Sequence, residues 1–571
     1  MYRGACPTAQ CAVRMEGHPA LRGIRNNGTG LCRIEQLPST LRRVRLPGTQ
    51  ARIWVAFPGV PAHRGRNQRL ERHMENPRND TTASTGQSGG LRAGAMGLPG
   101  LIAVAVGGVA PEYSILLVGS VVGGIAGGAT PAAFLIASIG MLAFGVVMAS
   151  LSRHVAAAGG LYSFATKGLG RDVGYLTGWL YLGIGIIITP ATFISTAFLI
   201  QNFFAAVLPH SSWLSSTWVW WAFILTALVL AAVHFGVRVS VVLLLSLTAI
   251  GVVSIVLMDF FILFQGGKSG IAWSALNPFD LHGASVESLL LGVGLAVTCM
   301  AGSEGGVFMA EEVRNPRKTV PKGVMGTMGL VVVFYLLTSL AITTGLGVHG
   351  TSHWGLLGAG VVQTLANQYM VSWFGSFLIL VVALAGITGC LGFTNYMSRL
   401  IFEWGRDRHL PVVFARTHAR FDTPTLAIVV LGIIGGVGYI ISVLWKGGSA
   451  AGGLAAFSWM YEVDAVILAL VYPIVAIAGA AVGYRTKASP WVTYVAPTLV
   501  VILIGISIKA QFFPFPASPL NVAVYAALGW LVCGGVLRFF TRGRTSSSEA
   551  FGEEIAAFED AGGPGESRLP G

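Results

Sequence analysis

The stretch Gly107-Gly108-Val109-Ala110-Pro111-Glu112-Tyr113-Ser114 interrupts a long apolar segment, and we call residues 107–114 the first break. The second break, residues 301–306, reads Ala301-Gly302-Ser303-Glu304-Gly305-Gly306 and interrupts another apolar segment. Gly adopts many backbone conformations, and Pro lacks an amide hydrogen and disrupts a helix interior. Backbone that is not helical persists at membrane depth only where protein or a water-filled cavity satisfies its polar groups. Both stretches therefore predict discontinuous helices if the surrounding segments cross a membrane.

The composition of the chain is that of a membrane protein. Its 571 residues are 54% hydrophobic and 11% charged, with a mean hydropathy of +0.69, whereas soluble domains carry about 25% charged residues. Since each spanning helix needs roughly 20 apolar residues, we predict an all-α membrane protein with about twelve transmembrane helices. The predicted spans are residues 101–125, 131–151, 173–207, 218–235, 239–264, 289–313, 324–348, 373–402, 424–443, 453–483, 492–508 and 520–539.

The positive charges alternate between the two sides of this layout. With the N-terminus inside, the inner loops hold 17 positive residues and the outer connections hold three. The inner residues are Arg153, Lys167, Arg171, Arg238, Arg314, Arg317, Lys318, Lys322, Arg406, Arg408, Arg416, Arg420, Arg485, Lys487, Arg538, Arg542 and Arg544, and the outer ones are Lys268, Lys446 and Lys509. Because cytoplasmic loops are enriched in Lys and Arg, we expect both termini in the cytoplasm and a multi-pass protein of the plasma (cell inner) membrane.

The two breaks are five spans apart, so spans 1–5 and 6–10 are predicted to be inverted repeats. Paired Gly/Pro interruptions at corresponding positions point to a substrate site at the bilayer midplane. A half-helix that starts near Pro111 aims its free amides and the positive end of its dipole at an anion. Carbonyls freed around Val106 and Gly107 would accept hydrogen bonds from an ammonium group, and those around Ala301 and Gly302 would do the same. Together these groups fit the zwitterion of an α-amino acid.

The predicted substrate-binding residues lie in or beside the two breaks. They are Gly107, Gly108, Val109, Ala110, Pro111, Glu112, Ser114, Ala301, Gly302, Ser303, Glu304 and Gly305. Tight packing is the alternative explanation, because glycine lets neighbouring membrane helices approach.

Five acidic residues within predicted spans are candidates for a function, because a charged group in the membrane interior is costly and marks a functional site by default. Glu112 and Glu304 would bind a substrate ammonium or carry a proton, or would be neutral acids that tie down an unwound loop. Glu462 and Asp464 would line or gate an outer vestibule, or cap a helix irregularity. Asp259 lies near an outer end and is interpreted as interfacial.

Three stretches resemble motifs of the amino acid–polyamine–organocation superfamily. The segment Glu311-Glu312-Val313-Arg314-Asn315-Pro316, which follows the second break, resembles part of the sixth-helix motif. Ala158-Gly159-Gly160-Leu161-Tyr162 resembles the loop after helix 2, and Asn395 and Arg399 with Gly405-Arg406-Asp407 resemble the end of helix 8. The resemblance covers about residues 95–540.

The resemblance implies secondary-active transport by alternating access, with a 5+5 inverted-repeat core, discontinuous helices 1 and 6, and two peripheral helices. It also implies that the backbone at residues 107–111 and 302–305 contacts substrate. Ser303 stands where the family often has an aromatic residue, which leaves room for a larger or more polar substrate. An inner gate formed by charged residues is predicted. The alternative is that these residues are solvated loop charges that contribute only to topology. The predicted gating residues are Arg153, Glu311, Glu312, Arg317 and Arg399.

The coupling partner stays open between H+, Na+ and a counter-substrate. Some relatives carry a lysine in helix 5 that stands in for sodium, and residues 239–264 contain none. A sodium site would need oxygens of the first break together with Thr388 or Thr394. These threonines equally fit hydrogen bonds to their own helix.

The domain organisation follows from these assignments. Residues 1–73 carry 13 arginines and three acidic residues, and we interpret them as an N-terminal extension that is disordered, or is untranslated sequence upstream of a start at Met74. Residues 74–95 are predicted to be a cytoplasmic tail and 541–571 an acidic disordered cytoplasmic tail. The transporter domain is 96–540, with repeat one at about 101–264, repeat two at about 289–483 and peripheral helices at about 492–539.

Other partners and functions are argued against by the sequence. The basic excess lies mostly in the extension, so no nucleic-acid partner is expected. The cysteines have no metal-ligand spacing, and the outer loop 208–217 has no Cys, so neither a metal or other cofactor nor a disulfide-linked subunit is expected. No H-E-x-x-H motif is present, and the one G-x-S-x-G match, residues 86–90, lies in the predicted tail, so no enzyme is expected. A polyamine or other organocation remains an alternative substrate. A non-transporting nutrient sensor on the same fold remains an alternative function.

Overall fold

The computed structural model describes residues 41–45, 52–56, 91–207, 217–513 and 520–541, and the chain divides into two units. In the first unit, residues 1–85, strands β1 (Leu41–Arg45) and β2 (Arg52–Ala56) pair antiparallel, with Leu41 opposite Ala56. The rest of the predicted extension, Met74, most of the tail 74–95 and residues 542–571 lie outside the described residues. Their interpretation therefore stays a prediction.

The second unit, residues 86–571, is built from helices. Its first seven α-helices are α1 (Leu98–Val109), α2 (Pro111–Ala126), α3 (Thr130–Ser152), α4 (Leu161–Leu169), α5 (Arg171–Val207), α6 (Trp218–His234) and α7 (Val237–Gln265). The remaining α-helices are α8 (Val286–Cys299), α9 (Pro316–Leu346), α10 (Trp354–Leu357), α11 (Val361–Tyr369), α12 (Ser372–Arg406), α13 (Thr425–Lys446), α14 (Ala450–Arg485), α15 (Ala496–Phe512) and α16 (Leu520–Thr541). Segments of 3-10 helix lie at Gly127–Ala129, Trp273–Leu276, Ser303–Glu312, Val348–His353, Gly358–Gly360 and Val412–Ala415, and a π-helical turn lies at Trp491–Val495. The all-α fold class is confirmed for this unit.

Ten helical segments in the described part of the chain are long and apolar enough to cross a membrane. One of them, Leu98–Ser152, has 55 residues and contains α1, α2 and α3, whereas a single crossing needs roughly 20. The apolar helix α6 is shorter, with 17 residues. Apart from residues at the breaks and at some span ends, the predicted spans lie on helical residues, and the largest boundary difference is at the seventh span, predicted from residue 324 and helical from Pro316. The count of twelve crossings stays a prediction.

Burial separates the helices that surround the breaks from those at the periphery. In the most apolar 18-residue stretch of α5 and of α12, 72% of the residues are buried, against 28% in that of α7 and 22% in that of α16. Large apolar side chains on α7, such as Phe260 and Phe264, are exposed, as expected where lipid replaces water as the solvent. Helix α1 packs against α7, α9 and α12. The first break therefore lies among helices rather than at the lipid face.

The segment between the seventh and eighth predicted spans was predicted only as a loop, yet it contains α11. This helix buries Val361, Val362, Leu365 and Ala366 on one face. The spacing is that of an amphipathic helix, but nine residues are too few to register as a membrane span.

Candidate functional site

The first break separates α1 from α2 at a single residue. Ala110 has φ 45 and ψ 65 in the left-handed region, which is uncommon for any residue except glycine. Its amide donates to the carbonyl of Val106 over 2.9 Å, and its carbonyl accepts from the amide of Ser114 over 2.9 Å. Pro111 has no amide hydrogen, so the carbonyl of Gly107 lacks its helical donor. The carbonyl predicted to be free at Val106 is therefore occupied, while that of Gly107 is released.

The second break separates α8 from a ten-residue 3-10 helix. Helix α8 ends at Cys299, and Gly302 has φ 92 before the 3-10 segment begins at Ser303. The carbonyl of Cys299 accepts hydrogen bonds from the Ser114 hydroxyl (2.8 Å) and the Tyr335 hydroxyl (2.7 Å). One carbonyl released by this break is thus satisfied by side chains from α2 and α9. Ser114 therefore ties the two breaks together, and it does not line the cavity described below.

The two breaks touch through glycines. A Cβ atom placed on Gly302 would lie 2.8 Å from the carbonyl oxygen of Gly108, which is closer than real Cβ contacts. A Cβ on Gly305 would lie 2.7 Å from the ring of Tyr396 on α12. These approaches require residues without a side chain. Close packing therefore explains why these positions are glycines. Gly108 and Gly302 also form part of a cavity wall.

A cavity lies between the two breaks and three long helices. Its walls come from the first break, the second break, α5, α12 and α14. The residues that line it are Gly108, Val109, Ala110, Tyr113, Tyr181, Ile184, Ile188, Thr192, Ala301, Gly302, Glu304, Gly386, Gly389, Phe393, Tyr396, Tyr461, Asp464 and Leu468. The structure thus places six of the twelve predicted substrate-binding residues at this cavity. The others, Gly107, Pro111, Glu112, Ser114, Ser303 and Gly305, lie behind its walls.

Glu304 is held by three hydrogen-bond donors. Its Oε2 accepts from the amide of Gly302 over 3.0 Å. Its Oε1 accepts from the hydroxyls of Tyr181 on α5 (2.8 Å) and Tyr472 on α14 (3.1 Å). Hydrogen bonds to a carboxylate are stronger than those between neutral groups. The arrangement favours the role in which Glu304 ties down the unwound segment, although its side chain also lines the cavity.

Glu112 has a different environment. Its side chain is fully buried, and neither carboxylate oxygen has a hydrogen-bond partner among the described residues. It packs against Gly251 of α7, where an added Cβ would overlap Oε1. Because Glu112 points toward α7 and away from the cavity, direct contact with substrate is not supported by its position in this structure.

Asp464 was predicted to line or gate a vestibule, and it lies on the wall of the central cavity. Tyr461, Asp464 and Leu468 on α14 recur at helical spacing and all face it. This i, i+3, i+7 pattern was a signal in the sequence that could have identified the face. The aromatic residues Tyr113, Tyr181 and Tyr396 were missed, because an apolar span gives no indication of which aromatic side faces a cavity.

The two threonines of the predicted cation site differ. The hydroxyl of Thr388 donates to the carbonyl of Ala385 in its own helix over 2.7 Å, which is the alternative foreseen for it. The hydroxyl of Thr394 is buried without a hydrogen-bond partner in the described part of the chain. Neither residue lines the cavity. Within the described ranges, no group of three or more His, Cys, Asp or Glu residues could hold a metal ion.

The predicted inner charges form ion pairs below the second break. Arg399 on α12 donates from Nε to Glu312 Oε1 over 2.8 Å, and both side chains are buried. Arg406 pairs with Glu311 at 2.7 Å and also with Glu403. The structure therefore brings together three of the five predicted gating residues and adds two that were not in that set. Arg153 is exposed and belongs to none of these pairs, and Arg317 is exposed near the start of α9.

The segment before the first discontinuous helix and the end of the second are joined through the backbone. The amide of Met96 donates to the carbonyl of Glu312 over 3.1 Å, and the amide of Arg314 donates to the carbonyl of Met96 over 3.0 Å. The segment before α1 and the end of the 3-10 helix therefore pair like a short parallel bridge. These two inner segments form one connected element.

Comparison with known proteins agrees with this architecture. Residues 96–536 match the family model described as amino acid permease. The methylthioribose transporter of Bacillus subtilis (strain 168) is 24% identical over 438 residues, which are 73% of this chain and 87% of that protein. The human cystine/glutamate transporter is 31% identical over 124 residues, 22% of this chain and 24% of that protein.

Two solved structures resemble the fold. A manganese transporter of Eremococcus coleocola has a TM-score of 0.51 at 14% identity, over 78% of this chain and 95% of that chain. MhsT in complex with L-phenylalanine has a TM-score of 0.50 at 14% identity, over 73% of this chain and 100% of that chain. At this identity the likeness shows the fold alone, while the family model covers most of the sequence. The chain belongs to the amino acid permease family of the amino acid–polyamine–organocation superfamily, and it is a multi-pass membrane permease.

Proposed function

We propose that this permease is a secondary-active transporter that moves an amino acid across the plasma membrane by alternating access, with both termini in the cytoplasm. The observation that carries the proposal is the pair of breaks that face one cavity from two sides. At the first break, the amides of Glu112 and Tyr113 lie in the first turn of α2, where a helix has no intrahelical acceptor. These amides and the positive end of the helix dipole suit a carboxylate.

The ammonium group of the substrate would bind on the opposite side of the same break. The carbonyl of Gly107 has no helical donor, because Pro111 cannot supply one, but Gly107 does not line the cavity. The carbonyl of Gly108 lies at the contact between the two breaks, beside Gly302. Main-chain groups of opposite polarity therefore lie a few residues apart, which is the arrangement that an α-amino acid zwitterion needs.

Alternating access would use the joined inner segments as a moving part. Opening inward requires separation of the pair between Arg399 and Glu312, since it links the 3-10 segment to α12. The backbone bridge at Met96 would carry α1 along with the 3-10 segment. This motion would expose the cavity to the cytoplasm.

A polyamine or other organocation is the second candidate substrate. The cavity favours it in one respect, since Glu304 and Asp464 both line its wall. A polyamine has no carboxylate, however, and would leave the amides of α2 without a ligand. A relative named for methylthioribose transport adds an uncharged solute to the substrates that need testing.

The proposal is tested by uptake into proteoliposomes that contain the purified full-length protein. The panel comprises labelled amino acids, a diamine and methylthioribose, each measured with and without imposed Na+ and H+ gradients and with internal amino acid for exchange. We expect saturable uptake of at least one amino acid that depends on a gradient or on internal substrate. Uptake of the diamine or of methylthioribose without any amino acid would contradict the proposal, and binding without any uptake would indicate a sensor.

A further inference from the structure

We propose that Asp464 binds a positively charged side chain of the transported amino acid, so that the substrate class is amino acids with an ammonium or guanidinium side chain. This inference rests on the proposed transport of an amino acid. Asp464 lies on α14, its residue is only 4% exposed, and it forms part of the cavity wall. Its Oδ1 has no hydrogen-bond partner among the described residues.

The two carboxylates of the cavity differ in what the protein offers them. Glu304 accepts hydrogen bonds from Gly302, Tyr181 and Tyr472. No such set of donors surrounds Asp464. A buried charge is costly unless it is paired. Removing one partner of a buried pair leaves the other charge with most of that desolvation cost. Of the two, Asp464 is therefore the carboxylate that remains open to a partner from outside the protein.

The cavity supplies no cation for this purpose. Of the residues that line it in the described structure, none is Lys, Arg or His. A neutral zwitterion brings one positive and one negative group, and the main chain of the breaks suits both. The charge of Asp464 would then remain uncompensated. A substrate with one additional positive charge compensates it.

The position of Asp464 fits the end of a side chain. The breaks supply the main-chain polar groups, whereas α5, α12 and α14 supply the remaining walls. Tyr461 lies one turn before Asp464 on α14, and Phe393 and Tyr396 lie on α12. Aromatic faces attract ammonium and guanidinium groups. A substrate held at the breaks by its α-carbon groups would extend its side chain toward these walls and place its charge near Asp464.

The experiment compares substrates that share a shape and differ in charge. Binding or uptake competition in proteoliposomes is measured for arginine against citrulline and for lysine against norleucine, using the full-length protein. We expect the wild type to prefer the charged member of each pair by about tenfold or more, the difference made by one charge-assisted contact. Asp464→Asn, which keeps the shape, should bring both ratios close to one. Asp464→Glu should restore part of the preference.

Glu462→Gln is the matched control, because Glu462 lies two residues away on α14 and does not line the cavity. Its ratios should equal those of the wild type. Equal affinity of the wild type for both members of each pair would overturn the inference even if Asp464→Asn failed to fold. An unchanged preference in Asp464→Asn would overturn it as well.

The outcomes also separate this inference from the proposed function. Transport of citrulline or norleucine without arginine or lysine would overturn the role of Asp464 and leave amino acid transport intact. Cadaverine, which is lysine without its carboxylate, serves as a further competitor. If cadaverine competed as well as lysine, the carboxylate site at α2 would be wrong, while the cation site at Asp464 would be supported.

Discussion

The first and second breaks hold their glutamates in opposite ways. At the second break, Glu304 accepts three hydrogen bonds and fastens the unwound segment to α5 and α14. At the first break, Glu112 is fully buried beside Gly251 and accepts none from the described residues. In this structure the second break is therefore held by polar contacts of its glutamate. The first break is shaped by Pro111 and the left-handed Ala110, and its glutamate contributes no such contacts.

The largest expected effect comes from the point where the two breaks touch. Gly302→Leu would place a side chain against the carbonyl of Gly108 in a backbone conformation that side chains rarely adopt. Strain and overpacking each cost about 1–3 kcal/mol, so uptake should fall by more than about a hundredfold. The measurement is initial uptake normalised to purified protein.

Gly329→Leu is the control for this variant, since nothing lies within 4 Å of the position of its Cβ. It should keep uptake close to that of the wild type. Normal uptake by Gly302→Leu would show that the contact between the breaks is not part of the transport site.

The next largest effect is expected for the buried ion pair between Arg399 and Glu312. Arg399→Ala would leave the buried carboxylate of Glu312 without its partner, which should cost about 3–5 kcal/mol of stability. The pair between Arg538 and Asp172 has the same 2.8 Å separation, but Asp172 is 44% exposed. Asp172→Asn should therefore cost less than Arg399→Ala, although Arg538 is itself largely buried. Thermal unfolding in detergent measures both, and equal losses would mean that burial does not distinguish the two pairs.

A smaller effect tests the difference between the two glutamates directly. Glu304→Gln replaces one acceptor oxygen with a donor, so at least one of its three donors loses its acceptor at a cost of about 1–3 kcal/mol. Glu112→Gln breaks no hydrogen bond to a described residue and should lower the unfolding temperature less. The reverse order of unfolding temperatures would mean that Glu304 is not held more firmly than Glu112.

The smallest expected effect comes from His409, which follows α12 in the chain. Burial, assisted by the guanidinium of Arg538, holds the pKa of His409 below its ordinary value of 6.5 despite the opposing charge of Asp407. The unfolded chain therefore binds this proton more readily, and the stability that neutral His409 contributes is lost as the pH falls below about 6.5. Unfolding temperatures should fall between about pH 7.5 and about pH 5.5. His409→Gln should reduce that fall, and an identical fall in the variant would assign it to other groups.

The sequence predicted the class of protein and the location of the breaks because both depend on local chemistry. Hydropathy reports the number of apolar stretches, and Gly107, Pro111 and Gly302 mark where helical hydrogen bonding ends whatever the neighbours are. Glu312 and Arg399 were both predicted as gating residues, although their pairing was not specified. Arg406, which pairs with Glu311 and Glu403, was not in that set, because a positive residue at a helix end equally serves topology.

What the sequence by itself determined is a polytopic helical membrane protein with Gly-rich interruptions in two of its spans. Only the tertiary structure decided which acid faces the cavity. Glu112 stands next to Pro111 in the chain and turns away, whereas Asp464 comes from a distant helix and turns in. Glu304 receives its tyrosine donors from positions 123 and 168 residues away. Such contacts depend on how whole helices rotate and pack against one another, and no local pattern of residues specifies that rotation.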